Sequence, residues 1–336
     1  MTRLVAVIVC LYTLLYPAPA STQARVTLGA DSSVVFASRQ AASEILTADD
    51  AYTSRMSQFD RMLRLKSTSR VTQAEYFEHL ADNALDWTGV ERDRLKPLLR
   101  RLSNALSGYR LPLPPTVLLI KTTGKEEIGE GHTRANAIVL PLHSLAEDDK
   151  TLYFLLAHEL FHVMSRYDER FRRAAYAIVG FRLGPEVRLP PVIAALQITN
   201  PDAPRHDSYI DVQNDGQTVT VVPVLLSRSA VFDPEIGDRL SRYWTLRLMV
   251  IEKTSAQGRP TPRMRNGAPV LLRVKQVDGF FDQVGRNTRY IIHPEEILAE
   301  NFAFLVTGKP VAEPQRVEAL RRVLSGNDGL DTLPAH

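Results

Sequence analysis

The chain has almost no cysteine. Its single one, Cys10, falls within the first 20 residues. If that segment is removed, no disulfide framework is possible, and a bound metal must be held by histidine and carboxylates. Histidine is itself scarce, at eight residues in 336. Neither sign of charge dominates: 41 Lys and Arg face 38 Asp and Glu, for a net charge of +3. Acids and bases are well mixed along the chain, so neither nucleic-acid nor anionic-membrane binding is expected. Beyond residue 20 no apolar run approaches the ~18 residues that a membrane span needs. Internal repeats and low-complexity tracts are also absent.

The N-terminus carries the marks of an export signal. Arg3 precedes an apolar run from Leu4 to Tyr16, and Ala18-Pro19-Ala20 offers small residues for cleavage. Thr22-Gln23-Ala24 offers a second cleavage site. The apolar run covers about 20 Å as a helix, short of the roughly 30 Å of a bilayer core, so removal is expected rather than anchoring. Val7-Ile8-Val9 lack the small residue that a lipoprotein signal places before its cysteine. Loss of Arg3 with residues 1–20 leaves a net charge of +2. A cysteine-free exported protein fits a bacterial periplasm or exterior better than a eukaryotic secretory route.

The remaining chain predicts an α+β fold. Residues 25–47 are weakly patterned. Asp50 to Lys66 reads as a helix. Thr72-Gln73-Ala74-Glu75 and Thr88-Gly89-Val90-Glu91 read as capping boxes opening two more, and Pro97 interrupts the second. Residues 25–110 are thus expected to be a helical N-terminal region, either a subdomain or a back wall. From residue 111 to 336 a catalytic domain is expected. Thr116 to Lys121 and Ala135 to Pro141 read as strands, the second expected to be an ordinary sheet strand, with an edge that pairs with an extended peptide as the alternative. Asp148-Asp149 caps a helix from Lys150 to Arg166, and Asp168 to Gly180 reads as another. Residues 186–289 form a β-rich insert. There Ser208 to Val212 and Gln217 to Leu226 flank the turn Asn214-Asp215-Gly216, and Tyr243 to Glu252 and Pro269 to Gln276 read as strands. Helices from Pro294 to Val306 and Glu313 to Leu324 close the chain.

One stretch carries chemistry. His158-Glu159-Leu160-Phe161-His162 reads H-E-x-x-H on a predicted helix, so both imidazoles share one face. Two imidazoles so placed can hold zinc, with Glu159 beside them as general base on a water. The plainer reading is a core histidine pair, which would need buried polar partners. A catalytic zinc takes three protein ligands. The third has three possible sources. Asp168 stands where the pattern H-E-x-x-H-x-x-G-x-x-H puts its last His, but Ser165 replaces the glycine that lets the chain turn back. Glu296 and Glu300 lie four apart on the helix after Pro294, with Ala299 and Ala303 leaving room for close packing. His132, His143, His206 and His293 are remote options.

H-E-x-x-H followed far downstream by Glu296-Ile297-Leu298-Ala299-Glu300 resembles the gluzincin zinc peptidases. The resemblance covers those two segments closely and the order of elements loosely. It implies a zincin-like mixed sheet over the motif helix. It implies His158, His162 and Glu296 as zinc ligands, Glu159 as general base, and Glu300 as a carboxylate orienting a ligating imidazole. The family's oxyanion-stabilising side chain has no clear match. Tyr290 is the candidate, ahead of Tyr243 and His293. The expected activity is hydrolysis of peptide bonds in a peptide or protein substrate. The alternative is an inactive or self-inhibited zincin-type protein that binds an envelope partner, with the insert plugging its cleft.

Overall fold

The computed structural model describes residues 25–252 and 258–326. The expected signal at residues 1–20, its second cleavage site after Ala24, and Cys10 lie outside the described residues. Among the described residues no helix is long and apolar enough to cross a membrane.

The chain opens with β1 (Arg25–Leu28) and β2 (Ser32–Phe36), a hairpin where two strands had not been expected. Then come α1 (Arg39–Leu46), α2 (Gln58–Leu65), α3 (Gln73–Asn83), β3 (Ala84–Leu85) and α4 (Gly89–Leu106). Next are β4 (Thr116–Thr122), β5 (His132–Arg134), β6 (Ala137–Pro141) and α5 (Asp149–Tyr167). The expected helix from Asp50 begins only at Gln58. Ser57 there accepts from the Asp60 N–H while Asp60 accepts from the Ser57 N–H, and this capping box sets the start. Thr72 with Glu75 and Thr88 with Glu91 close the two expected boxes. Pro97 lies well inside α4, which continues past it.

The first sheet runs β1-β2-β4-β6-β5, with β2, β4 and β6 parallel and β5 antiparallel at the edge; β3 also pairs with β4. Every residue of β2 and β6 is buried, as expected when helices cover both faces. The two-residue alternation assigns the faces. Val117, Leu119, Ile138 and Leu140 pack with α4 and α5, whereas Ile120, Ala137 and Val139 pack with α1, α2 and α3. Residues 25–110 are therefore not a purely helical region: they supply three strands of this sheet and helices on both of its faces. The strand expected at Ala135 to Pro141 is thus an ordinary interior one, and the alternative of a peptide-pairing edge there does not hold, because the edge of the sheet is β5.

After α5 come α6 (Glu169–Ile178), β7 (Arg182–Leu183), α7 (Pro191–Ala194), β8 (Ser208–Asn214), β9 (Gln217–Ser227) and β10 (Trp244–Glu252). Asp215 and Gly216 both take positive φ in the β8–β9 turn, the geometry of a two-residue hairpin. Four two-residue strands follow: β11 (Thr261–Pro262), β12 (Met264–Arg265), β13 (Ala268–Pro269) and β14 (Leu271–Leu272). The expected strand from Pro269 to Gln276 is thus broken, and Val274–Gln276 is a single 3-10 turn. The insert sheet runs β11-β10-β9-β8-β7, with β14 also on β10. One of its faces (Val222, Val224, Met249) holds a small core of its own. The other (Ile210, Val221, Leu248, Val250) joins the main core, so the insert is fastened to the body of the protein. The chain ends with α8 (Phe280–Val284), α9 (Pro294–Thr307) and α10 (Pro314–Leu324). Helix α9 lies against α5 with Ala299 and Ala303 fully buried between them, and the Phe161 and Phe302 rings 6.0 Å apart.

Candidate functional site

Helix α5 starts where Asp148 accepts from the N–H groups of Lys150 and Thr151, and it buries every residue from Leu156 to Ser165. His158 and His162 therefore face inward, onto α9. Nε2 of His158 lies 3.2 Å from Oε2 of Glu296, and Nε2 of His162 lies 3.7 Å from the same oxygen. Donors at 2.0–2.2 Å from a tetrahedral ion sit roughly 3.3–3.6 Å apart, so these separations match a shared cation. One donor atom from each of the three residues lies within 4.8 Å of the others. The fold brings Glu296 beside the two histidines.

Each member is held by further groups. His162 donates from Nδ1 to Oε1 of Glu295 at 3.0 Å. Glu295 also accepts from the Ser165 hydroxyl, and from the Tyr176 hydroxyl at 2.6 Å. Burial opposes the charge of Glu295, but these donors outweigh it and hold its carboxyl below the ordinary range. Oε1 of Glu296 accepts from Nδ2 of Asn200 at 2.6 Å. Glu300 was expected to orient an imidazole, yet its nearest oxygen is 3.7 Å from Nδ1 of His158, too far for a hydrogen bond. Glu295, the neighbour of the expected ligand, performs that task for His162 instead.

The electrostatics call for positive charge. Glu159, His162 and Asp202 form a second group within ligand distance of one another. Burial, then Asp202, pushes the Glu159 carboxyl well above its ordinary range. Burial alone would lower His162, but Asp202, Glu296 and Glu295 together lift it to about 10. Burial likewise opposes ionisation of Glu296, and the two histidines overcome it, bringing the carboxyl to about 2. Despite this, Nε2 of His162 and Oε2 of Glu159 are buried with no hydrogen-bond partner among the described residues. Orphaned buried polar atoms are rare. Their presence beside a His-His-Glu donor set fits a divalent cation.

The remaining candidates separate cleanly. Asp168 caps α6, accepting from the N–H groups of Arg170 and Phe171, and is not part of the donor cluster. His293 is the N-cap of α9: Nδ1 accepts from the Glu295 N–H, which leaves Nε2 to donate to the Ser208 hydroxyl at 3.2 Å. Both of its nitrogens are thereby used, against a role as ligand or oxyanion donor. Tyr243 donates to the Asp233 carbonyl at 2.7 Å inside the core cluster below α2, away from the histidines. His132 is buried in β5, and neither it, His143 nor His206 joins the donor cluster. Tyr290 does reach the site: its ring lies near-parallel to that of His158, with centroids 6.5 Å apart, and is 43% exposed.

No known protein family, curated protein or solved structure matches this chain. The assignment of chemistry therefore rests on the site itself.

A cavity of about 440 Å³ opens over the donor cluster, with His158, Glu159, Glu296, Glu130, Gly131 and Tyr290 in its wall. Gly131 comes so near that a Cβ there would lie 3.2 Å from Oε1 of Glu159. A neighbouring cavity of about 600 Å³ shares Gly129, Glu130, His143 and Tyr290 with it and extends to Leu240 and Trp244 of the insert. The free side of β5 offers little to a pairing peptide. The N–H and hydroxyl of Thr133 both donate to Oδ1 of Asp202, at 2.7 and 2.5 Å.

Proposed function

We propose that the protein is an exported zinc metallopeptidase of gluzincin type, with a zincin-like catalytic unit. One observation carries this reading. The donor atoms of His158, His162 and Glu296 converge at the separations a tetrahedral cation requires, beside two buried polar atoms that have no partner. Zinc held by these three side chains would supply Lewis acidity toward a water and a substrate carbonyl.

The chain's own groups supply the rest. Glu159, whose burial and Asp202 neighbour raise its proton affinity, takes the proton from water and passes it to the leaving amine. Glu295 fixes the His162 ring through Nδ1, and Asn200 fixes the Glu296 carboxylate. Tyr290, at the rim beside His158, is the candidate donor to the oxyanion. The adjoining cavities over the cluster suit an extended chain better than a compact small molecule. The rival reading of a plugged, partner-binding protein has less support, because among the described residues the insert contributes only Asp202 to the wall of the cavity over the histidines.

The test is metal analysis of the purified protein together with cleavage of a peptide library. About one zinc per chain and cleavage that disappears in Glu159→Gln support the proposal. Zinc without cleavage of any peptide favours the partner-binding reading. Absence of bound metal, with His158→Ala leaving the melting temperature unchanged, sinks both.

A further inference from the structure

A third cavity, of about 580 Å³, adjoins the one over the donor cluster; Thr151, Phe154 and Glu300 line both. Its wall also carries three cations, Arg101 of α4, Lys150 of α5 and Lys309 just after α9. Among the described residues none of the three has a carboxylate at ion-pair distance. The Arg101 guanidinium instead lies 4.2 Å over the Tyr153 ring, and the Lys309 ammonium lies 5.6 and 5.3 Å over the Phe154 and Phe304 rings. Aromatic faces position a cation without neutralising it. Glu300 is the one acid in the wall.

Tyr153 adds a second kind of signal. It is 1% exposed, it lines this cavity, and its buried hydroxyl has no hydrogen-bond partner among the described residues. A buried tyrosine normally finds an acceptor for its O–H. A donor without an acceptor, beside three cations that share one acid, Glu300, is a donor set suited to a carboxylate.

The position of the cavity fixes its relation to the donor cluster. Phe154 lies one turn, and Thr151 two turns, before His158 on α5. At 1.5 Å per residue this is about 6–10 Å along the helix. An extended chain covers that distance in about two or three residues. We infer that this cavity binds a carboxylate of the substrate, two or three residues from the bond that is cut. The inference rests on the peptidase reading above. The carboxylate has two possible sources: the free C-terminus, which makes the protein a remover of short C-terminal fragments, or an acidic side chain within a longer substrate.

The test reads binding and not turnover. Calorimetric titrations of the Glu159→Gln protein would use acetyl-tetra-alanine as free acid, the same peptide as amide, and an amide whose last residue is glutamate. The free acid is expected to bind about tenfold more tightly than the plain amide. Adding Lys150→Gln with Lys309→Gln, or Tyr153→Phe alone, should shrink that ratio toward one while leaving the melting temperature unchanged. Tyr153→Phe is the safeguard against misfolding, since it removes only an unpartnered hydroxyl. If the glutamate amide matches the free acid, the carboxylate site stands and its source is a side chain. If only the free acid is preferred, the source is the C-terminus. Equal affinity for all three peptides, or a preference that both variants keep, overturns the inference. A chain that binds no zinc yet keeps the preference upholds the carboxylate site and removes only the hydrolase.

Discussion

Two buried polar clusters lie on opposite faces of the first sheet, and they solve the problem of burial differently. Between α2 and the segment after β4, the Arg64 guanidinium is 1% exposed and pairs with Asp60 and Glu127. Tyr52 donates to Glu127 at 2.6 Å, and the Thr199 hydroxyl donates to Asp60 at 2.9 Å. Every side-chain polar atom of Arg64, Asp60 and Glu127 has a partner there. The cluster under α9 gathers Glu159, Asp202, Glu295 and Glu296 around two imidazoles and leaves two atoms without partners. The first cluster contains its own cation. The second is the cluster on which the proposed metal site rests, because buried polar atoms are normally partnered.

The largest expected effect separates the two clusters by what they are for. Glu159→Gln should lower kcat by about 10²–10⁴-fold, the range for loss of a general base, while zinc content and melting temperature hold. Steady-state kinetics beside metal analysis check it. Retained activity would remove Glu159 from the chemistry. Arg64→Met should do the opposite. It leaves Asp60 and Glu127 buried without their cation, which costs about 3–5 kcal/mol in chemical denaturation. The folded fraction should still bind zinc with unchanged affinity. A loss below about 1 kcal/mol would mean that the α2 cluster is not the structural one.

Helix α5 was legible because the 3.6-residue period puts His158 and His162 on one face whatever surrounds them. Glu296 was legible for the same reason, four residues before Glu300 and with Ala299 and Ala303 marking a tight helix contact. The groups that hold the site were not. Glu295 reads as one more acid at a helix start until α5 brings Ser165 and α6 brings Tyr176 to it. Ser165 drew notice only as a missing glycine. Asn200 meets Glu296 across 96 residues of sequence, and no local pattern carries such a pairing. Strands β1 and β2 were missed on similar grounds. They are four and five residues long, and the parallel partner of β2, β4, begins at Thr116.

The pH dependence of stability bears on the edge of the α9 cluster. Burial pushes His293 down to about 4 from an ordinary value near 6.5. As pH falls from 6.5 toward 4 the unfolded chain takes up a proton that the folded one refuses. Stability is therefore lost across that window and not further below it. The loss amounts to at most about 3.5 kcal/mol, since one pKa unit corresponds to about 1.4 kcal/mol. Denaturation midpoints at pH 7, 6 and 5 measure it. His293→Asn keeps a capping side chain on α9 and should flatten the profile. An unchanged profile would assign the acid sensitivity to other groups.

The smallest effect is the sharpest test of which carboxylate orients the proposed metal-binding face. Glu295 and Glu300 both lie near a histidine, but only Glu295 is within hydrogen-bond distance, accepting from His162 at 3.0 Å while Glu300 stays 3.7 Å from His158. Glu295→Gln keeps the size of the side chain. It weakens the acceptor for His162 and disturbs the Ser165 and Tyr176 donors, so zinc affinity should fall about 10–100-fold, the usual result of removing such a partner. Glu300→Gln should change affinity by less than about threefold, because no hydrogen bond to an imidazole is lost. Competition against a chelator of known affinity reads both. The reverse order of effects would return the orienting role to Glu300. Equal and negligible effects would show that packing between α5 and α9, and not the carboxylates, sets the two imidazoles.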